Sequence, residues 1–409
     1  MHSRRTFLTA GSSLLALTAA TSGRALAGQD AQNLIIVFAY GGWDPTYLFD
    51  PRPSNPDVST PDGGWREHGE LLLWETASSS NVHAFLDDWS DRVAVINGVA
   101  VNSLVHEECA RRLLTGSSTD ATADIGARVA DLTGRDRPLP YHVMGGNARL
   151  DGLEAIAGTS GYSNQISSLV VPRFAYPSDA TAFQPSADEA ARVAAYLSER
   201  AAVLAERSGT RGSSGVRLDD YLESHQRAQQ ILSSARDNLL SDPQAFYSYD
   251  AFDRAARMLA ERFSKVAFLT DSGYWDTHTG NGQQARLFNS LFGSLRSLMS
   301  SLDEAGIADN TTVAVLSEMG RTPMLNRLGG KDHWPFTSAM LIGPTVRSTL
   351  VEGTDDDLQQ TPVNLSTGLP DANGRALGTA DLLATIAALV DIDPGQLYPD
   401  AEVIDAVVA

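Results

Sequence analysis

The sequence predicts an α/β protein, with a central, largely parallel sheet covered by helices on both faces and broken by a helical insertion. Three observations predict it. Short apolar, β-prone runs recur along the chain, helical patterns fall between them, and polar residues gather just past the runs. Continuously apolar strands belong to sheets buried on both faces. In such sheets ligands bind beyond the strands' carboxyl ends, so those ends are where chemistry is sought.

The elements follow in order. "NLIIVFAY" (33–40) is a buried strand that stops at Gly41-Gly42, and the Pro- and Gly-rich "DPRPSNPDVSTPDGGW" reads as a loop. "NVHAFLDDWSD" is helical and "RVAVINGVA" (92–100) is a second strand. "VHEECARRLLTG" (105–116) has helical spacing with Gly116 as its stop, and Cys109 within it reads as buried and inert. "LPYHVMGG" (139–146) is a third strand. Residues 180–262 turn Ala-, Leu-, Arg- and Glu-rich with three- and four-residue apolar spacing, which predicts an insertion of about three helices with a Gly/Ser linker at 208–215. The α/β pattern then resumes with the strand "KVAFLTD" and the long helix "QQARLFNSLFGSLRSLMSSLDEAGI". The strands "TTVAVLSE" (311–318) and "SAMLIGP" (338–344) and the closing helix "TADLLATIAALVDI" (379–392) complete it.

Composition narrows the function. A net charge of −19, from 31 basic and 50 acidic residues, repels phosphate backbones and anionic lipid, so nucleic acid is not an expected partner. The same acidity is also what a saline habitat or solubility alone would select. A single cysteine forbids an intrachain disulfide and a Cys-rich zinc site, so the chain holds together by its core. No G-x-S-x-G elbow and no Walker loop occurs.

The N-terminus reads as an address. "SRRTFL", a mild apolar stretch and then Ala25-Leu26-Ala27 form the pattern of a twin-arginine export signal, with cleavage expected after Ala27. Residues 28–409 are then one domain, periplasmic or extracellular, without a stable membrane anchor. The twin-arginine translocase is its partner during export. Substrates of that route cross the membrane folded, some with a cofactor already loaded.

Four polar clusters sit at strand ends: Asp44; Asp276 with His278; Ser317, Glu318 and Arg321; and Asp332 with His333. His106 opens the helix after the second strand. Singly, a strand-end Asp is as well explained by a helix cap or an Asx turn, and a His beside Trp334 by packing. Together, Asp276, His278 and His333 suit a divalent ion such as zinc or manganese with an open position. Asp44 and Glu318 would add a harder, oxygen-rich second site. The spacing Asp276-Thr277-His278 suits an extended segment, where residues i and i+2 point the same way.

The twin-arginine start, "VFAYGGWD", "VHEECARRLLTG", "GYWDTHTGNGQQ", "TTVAVLSEMGRTPMLN", "GGKDHWP" and "LLATIAALVDIDP" together resemble the bacterial family known as domain of unknown function 1501, over nearly the whole chain. That family is similar to the alkaline phosphatase and sulfatase superfamily. The resemblance implies an alkaline-phosphatase-like fold and a metal centre. It matches Asp44 to the first-strand Asp, Asp276 and His278 to the Asp/His pair, Ser317-Glu318-Met319-Gly320 to an "SDHG" strand end, and His333 to the last His. Two departures matter. Val105 stands where related members often carry the nucleophilic serine, and Met319 replaces a histidine. The expectation is one metal site rather than two. The metal would serve hydrolysis of small anionic phosphate or sulfate esters, with His106 moving protons and Arg321 steadying the anion. The alternatives are an inactive relative that binds an envelope component or serves assembly, and a purely structural polar network.

Overall fold

In a computed structural model of the chain, which describes residues 32–119, 121–160, 187–208, 213–234 and 250–409, the strand Asn33–Phe38 (β1) sends alternate side chains into two apolar layers. Leu34, Ile36 and Phe38 join one layer, while Ile35 and Val37 join the other. This is the period-2 geometry of a strand buried on both faces. The first layer is closed by the helices His106–Thr115, Ile125–Thr133 and Thr379–Leu389. The second is closed by Ser80–Trp89, Ala251–Ala260 and Gln283–Glu304. In the last of these, Phe288, Leu291, Phe292, Leu295, Leu298, Met299 and Leu302 form one buried stripe at three- and four-residue spacing.

The hairpin Gly64–His68 (β2) and Leu71–Glu75 (β3) stands apart from the main sheet. The remaining strands are Val93–Ala100 (β4), Tyr141–Met144 (β5), Ala157–Thr159 (β6), Val266–Thr270 (β7), Thr311–Leu316 (β8), Gly320–Arg321 (β9), His333–Trp334 (β10), Phe336–Ile342 (β11) and Thr349–Val351 (β12). The eight-stranded sheet runs β12-β4-β11-β8-β1-β7-β5-β6, and β9 pairs with β10 beside it. All pairings in the large sheet are parallel except those of β11, which lies antiparallel between β4 and β8.

The mostly parallel sheet matches the expectation from sequence. Three differences are informative. β11 is reversed, because the chain reaches it from β8 by way of the β9–β10 excursion at the same edge and not by a crossover helix. The hairpin β2–β3 begins inside the stretch read as loop, whose last residues Gly64 and Trp65 open β2. The helix Ala251–Ala260, expected with the insertion, buries Phe252, Ala255, Ala256, Met258 and Leu259 and belongs to the second layer. The other insertion helices are Ala187–Ser208 and Ser213–Ser234. The export signal expected over residues 1–27 lies outside the described residues, as do the rest of the expected insertion and part of its linker. Among the described residues no helix is long and apolar enough to cross a membrane. Cys109 is buried, and burial pushes its thiol up to about 11, the state of an inert apolar side chain.

Asp124 caps the helix Ile125–Thr133 from a fully buried position, accepting from the N–H groups of Ala127 (2.7 Å) and Arg149 (2.7 Å) and from the Tyr141 hydroxyl (3.2 Å). Burial outweighs these hydrogen bonds and raises its carboxyl to about 6. The folded state therefore holds a proton that the unfolded chain releases near pH 4. This contribution to stability is full below about pH 4 and is lost as pH rises through about 6, amounting to about 3 kcal/mol. Asp124→Asn should flatten the fall in unfolding free energy between about pH 4 and 6, measured by urea titration at each pH. An unchanged slope would show that Asp124 does not titrate in that window.

Candidate metal centre

The directions of the strands bring the chemistry to one rim. β1, β4, β7 and β8 run the same way, so the segments after them share an edge. Those segments carry Gly41, His106, Asp276 with His278, and Glu318. Because β11 is reversed, the residues before it arrive at that same edge, and they include His333. β10 fixes His333 opposite Arg321 of β9.

Each of three imidazoles is held by its Nδ1. His106 Nδ1 donates to Glu318 Oε1 (2.7 Å), His278 Nδ1 to Asp332 Oδ1 (2.9 Å) and His333 Nδ1 to the Leu104 carbonyl (2.7 Å). All three partners only accept, so a neutral ring that donates to them carries its proton on Nδ1 and leaves Nε2 free to act as a ligand. The three Nε2 atoms converge on one carboxylate. His278 Nε2 lies 3.1 Å and His333 Nε2 3.4 Å from Asp276 Oδ1, and His106 Nε2 lies 3.5 Å from Asp276 Oδ2. The Nε2 atoms of His278 and His333 are 2.9 Å apart. Two lone pairs at that distance repel unless a proton or a cation lies between them. His106 Nε2 is buried without a hydrogen-bond partner.

These distances suit ligands of one ion. Two donors about 2.0–2.1 Å from a tetrahedral zinc lie about 3.3–3.4 Å from each other. The potential donor atoms of His106, Asp276 and His333 all lie within 4.8 Å of one another. Carboxylate or carbonyl groups on the far ring nitrogens are the usual outer supports of histidine ligands. Partial burial raises the Asp276 carboxyl, but the hydrogen bond and charge of Arg321, helped by His278 and His106, outweigh it and hold the group below the usual carboxylate range. The Glu318 hydrogen bond raises the His106 imidazole above its ordinary value, against the burial that lowers it.

Local structure explains the placement. Asp276 and His278 face the rim, while Thr277 between them is buried on Asn281 (2.8 Å) and Gln284 (3.0 Å). Gly330 lies against the His278 backbone, where an added Cβ would sit 2.0 Å from its carbonyl carbon. Gly41 has φ +125°, and a Cβ there would come within 2.7 Å of the Asp276 amide.

Asp276, His278 and His333 are thus brought together as the sequence suggested, and the other expected site residues take different places. His106, expected as a proton carrier, stands among the potential ligands. Glu318, expected as a ligand, has its carboxylate on the Gly41 N–H (2.9 and 3.1 Å) and on His106, so it orients a ring. Asp44, expected at a second metal site, is fully buried. It accepts from Lys331 Nζ (2.9 Å), Asn281 Nδ2 (2.7 Å) and the Thr46 hydroxyl (2.8 Å). An ammonium already balances its charge. Arg321, expected to steady an anion, is 1% exposed and donates to the carbonyls of Gly41, Gly42 (2.8 Å), Trp275 (3.2 Å) and Lys331 (3.2 Å) and to Asp276 (2.7 Å). Its N–H groups are committed to the fold. Ser317 donates to the Ala39 carbonyl and Met319 packs in the first apolar layer. Val105 is the N-cap of the helix His106–Thr115, makes no side-chain cap bond and is 58% exposed.

Lys331 was missed in the sequence, although it lies within "GGKDHWP". Its only signal is a lysine directly after two glycines.

A family model described as "Protein of unknown function (DUF1501)" matches residues 31–403. No curated protein matches the chain. Among solved structures it is similar to the lipoteichoic acid synthase LtaP from Listeria monocytogenes, with TM-score 0.42, 10% identity and coverage of 94% of this chain and 78% of that one. It is similar to the C-terminal periplasmic domain of EcEptC from Escherichia coli, with TM-score 0.41, 10% identity and coverage of 93% and 87%. It is also similar to a protein in the alkaline phosphatase superfamily from Vibrio parahaemolyticus, with TM-score 0.37, 11% identity and coverage of 89% and 67%.

Lys331→Met would leave Asp44 charged, buried and without its cation. The expected loss is about 3–5 kcal/mol of stability, read by denaturant unfolding. Adding Asp44→Asn should recover part of it. A loss below about 1 kcal/mol would show that the carboxylate is neutralised in some other way.

Proposed function

The chain belongs to the DUF1501 family, and from that premise and the rim cluster we propose an exported, metal-dependent hydrolase of phosphate or sulfate esters. The observation that carries the proposal is the convergence on the Asp276 carboxylate of three Nε2 atoms whose rings are each held at Nδ1 by an acceptor. His106, His333 and Asp276 would hold the ion and leave a position open to the ester, with His278 beside them; Glu318 and the Leu104 carbonyl would aim the two ligand rings and Asp332 would aim His278. Two imidazoles and one carboxylate suit zinc better than the oxygen-preferring manganese. One ion is proposed and not two, because Lys331 already balances Asp44.

When bound, the ion would neutralise charge on the ester and polarise one of its oxygens. The protein's own contribution is positioning. The hydrogen bonds to Nδ1 fix the rings, and Arg321 fixes Asp276. The anionic group would face the start of the helix His106–Thr115, whose first N–H groups have no side-chain cap. Val105 offers no hydroxyl, so water is the attacking group. The bond from water oxygen to phosphorus or sulfur forms as the bond to the leaving alkoxide breaks. The departing alcohol takes up a water proton.

The absence of a hydroxyl at Val105 also favours a second reading, a relative that binds an anionic envelope component without turning it over. A zinc-loaded sample assayed on p-nitrophenyl phosphate and p-nitrophenyl sulfate separates the two. Hydrolysis is expected. Asp276→Ala and His333→Ala should each remove one ion per chain and abolish it, and Glu318→Gln should lower it about 10–100-fold. Bound metal with no turnover on either ester would favour the binding reading. Unchanged metal content in both alanine variants would sink the metal centre itself.

Export by the twin-arginine route is proposed from "SRRTFL" and the Ala25-Leu26-Ala27 site. Replacing Arg4 and Arg5 by lysine should hold the protein in the cytoplasm in a fractionation assay. An unchanged distribution would rule the route out.

A further inference from the structure

Away from the rim, four titratable side chains meet between the hairpin β2–β3 and the helix Ser80–Trp89. His68 and Glu75 come from the hairpin. His83 and Asp87 come from the helix, four residues apart and so on one face. Glu75 Oε1 accepts from His68 Nε2 (2.8 Å) and from His83 Nδ1 (3.4 Å). One carboxylate thereby touches both rings and leaves His68 Nδ1 and His83 Nε2 on the side of Asp87, with His68 Nδ1 3.3 Å from Oδ1 and His83 Nε2 3.2 Å from Oδ2.

His68 Nδ1 is buried and has no hydrogen-bond partner. A divalent cation between the three groups would give that nitrogen a partner and draw the Asp87 carboxylate to the same point. The 3.2 and 3.3 Å separations match the edge of a tetrahedral zinc site, about 3.3–3.4 Å for donors about 2.0–2.1 Å from the ion. Donor atoms of His68, His83 and Asp87 all lie within 4.8 Å of one another. His83 and Asp87 are half exposed, so the ion could enter from solvent and keep a position open to it.

We propose that His68, His83 and Asp87 form a second, separate site for a zinc-like divalent cation, with Glu75 orienting both imidazoles. Its ligands come from two elements that meet outside the main sheet, so the ion acts as a clip between the hairpin and the helix. The proposal stands independently of the rim centre.

The test uses the mature chain stripped with chelator and then titrated with Zn²⁺ in a calorimeter. The rim is first disabled by Asp276→Ala with His333→Ala. This protein should still bind one Zn²⁺ and gain thermal stability from it, because an ion that binds only the folded chain stabilises it by mass action. Adding His83→Ala and Asp87→Ala should abolish both signals. These two side chains are half exposed, so the fold should survive their loss, and circular dichroism checks that it does. Glu75→Gln should keep the stoichiometry but weaken binding about 10–100-fold. Replacing Zn²⁺ with Co²⁺ should give visible absorption bands that depend on His83. The proposal is overturned if the rim-disabled protein binds no Zn²⁺ at micromolar concentrations, or if removing His83 and Asp87 leaves its binding unchanged. Because the wild type carries both sites, a failure of the rim alone would leave the His83 and Asp87 variants still one ion short.

Discussion

A buried guanidinium holds the rim together. Arg321 is buried, and removing a guanidinium from water is tolerable only when its N–H groups find acceptors and its charge is balanced. It finds carbonyls on the turn after β1, on the segment after β7 and on Lys331 before β10, and it finds the Asp276 carboxylate. Three chain segments distant in sequence are therefore fixed by one planar fork. Asp276 is fixed with them, with Oδ1 toward Arg321 and Oδ2 toward His106. The electrostatics follow from this pairing. Arg321 balances Asp276 and Lys331 balances Asp44, which leaves Glu318 and Asp332 behind the imidazoles. Those two negative charges are what a divalent ion would neutralise.

Much of this was legible in the sequence where the cause is local. The strand cores of β1, β4, β7 and β8 follow from short apolar runs, and the helix His106–Thr115 ends at Gly116, which adopts φ 72° as its C-cap. The same-side placement of Asp276 and His278 follows from their spacing alone. What was not legible depends on contacts across the chain. The reversal of β11 leaves no mark in "SAMLIGP", because an apolar strand reads the same in either direction. The ligand-like position of His106 depends on Glu318, 212 residues away. Lys331 and Asp44 are each ordinary until they meet at 2.9 Å. Arg321 was expected to steady an anion, and the carbonyls that take up its N–H groups lie on segments far from it in sequence.

Val105 is informative about the division of labour at the rim. Position 105 is a helix N-cap, where Ser, Thr, Asp or Asn would satisfy backbone N–H groups. Valine does not, so the helix start remains open to an incoming acceptor. The neighbouring residue, His106, is by contrast constrained on both sides of its ring. The rim thus sets an oriented imidazole beside a helix start that offers no hydroxyl.

The reversed strand β11 also bears on how the molecule assembles. It lies between β4 and β8, yet it is among the last strands to leave the ribosome. Until residues 336–342 are inserted, β4 has no link to the rest of the sheet through this interior position. His333 arrives only with that insertion. Long-range pairing of this kind is slow, because loop-closure entropy must be met before the contacts repay it. A nascent or truncated chain would therefore hold half a sheet and an incomplete set of imidazoles. Completion of the rim is in effect a signal that the whole domain has folded.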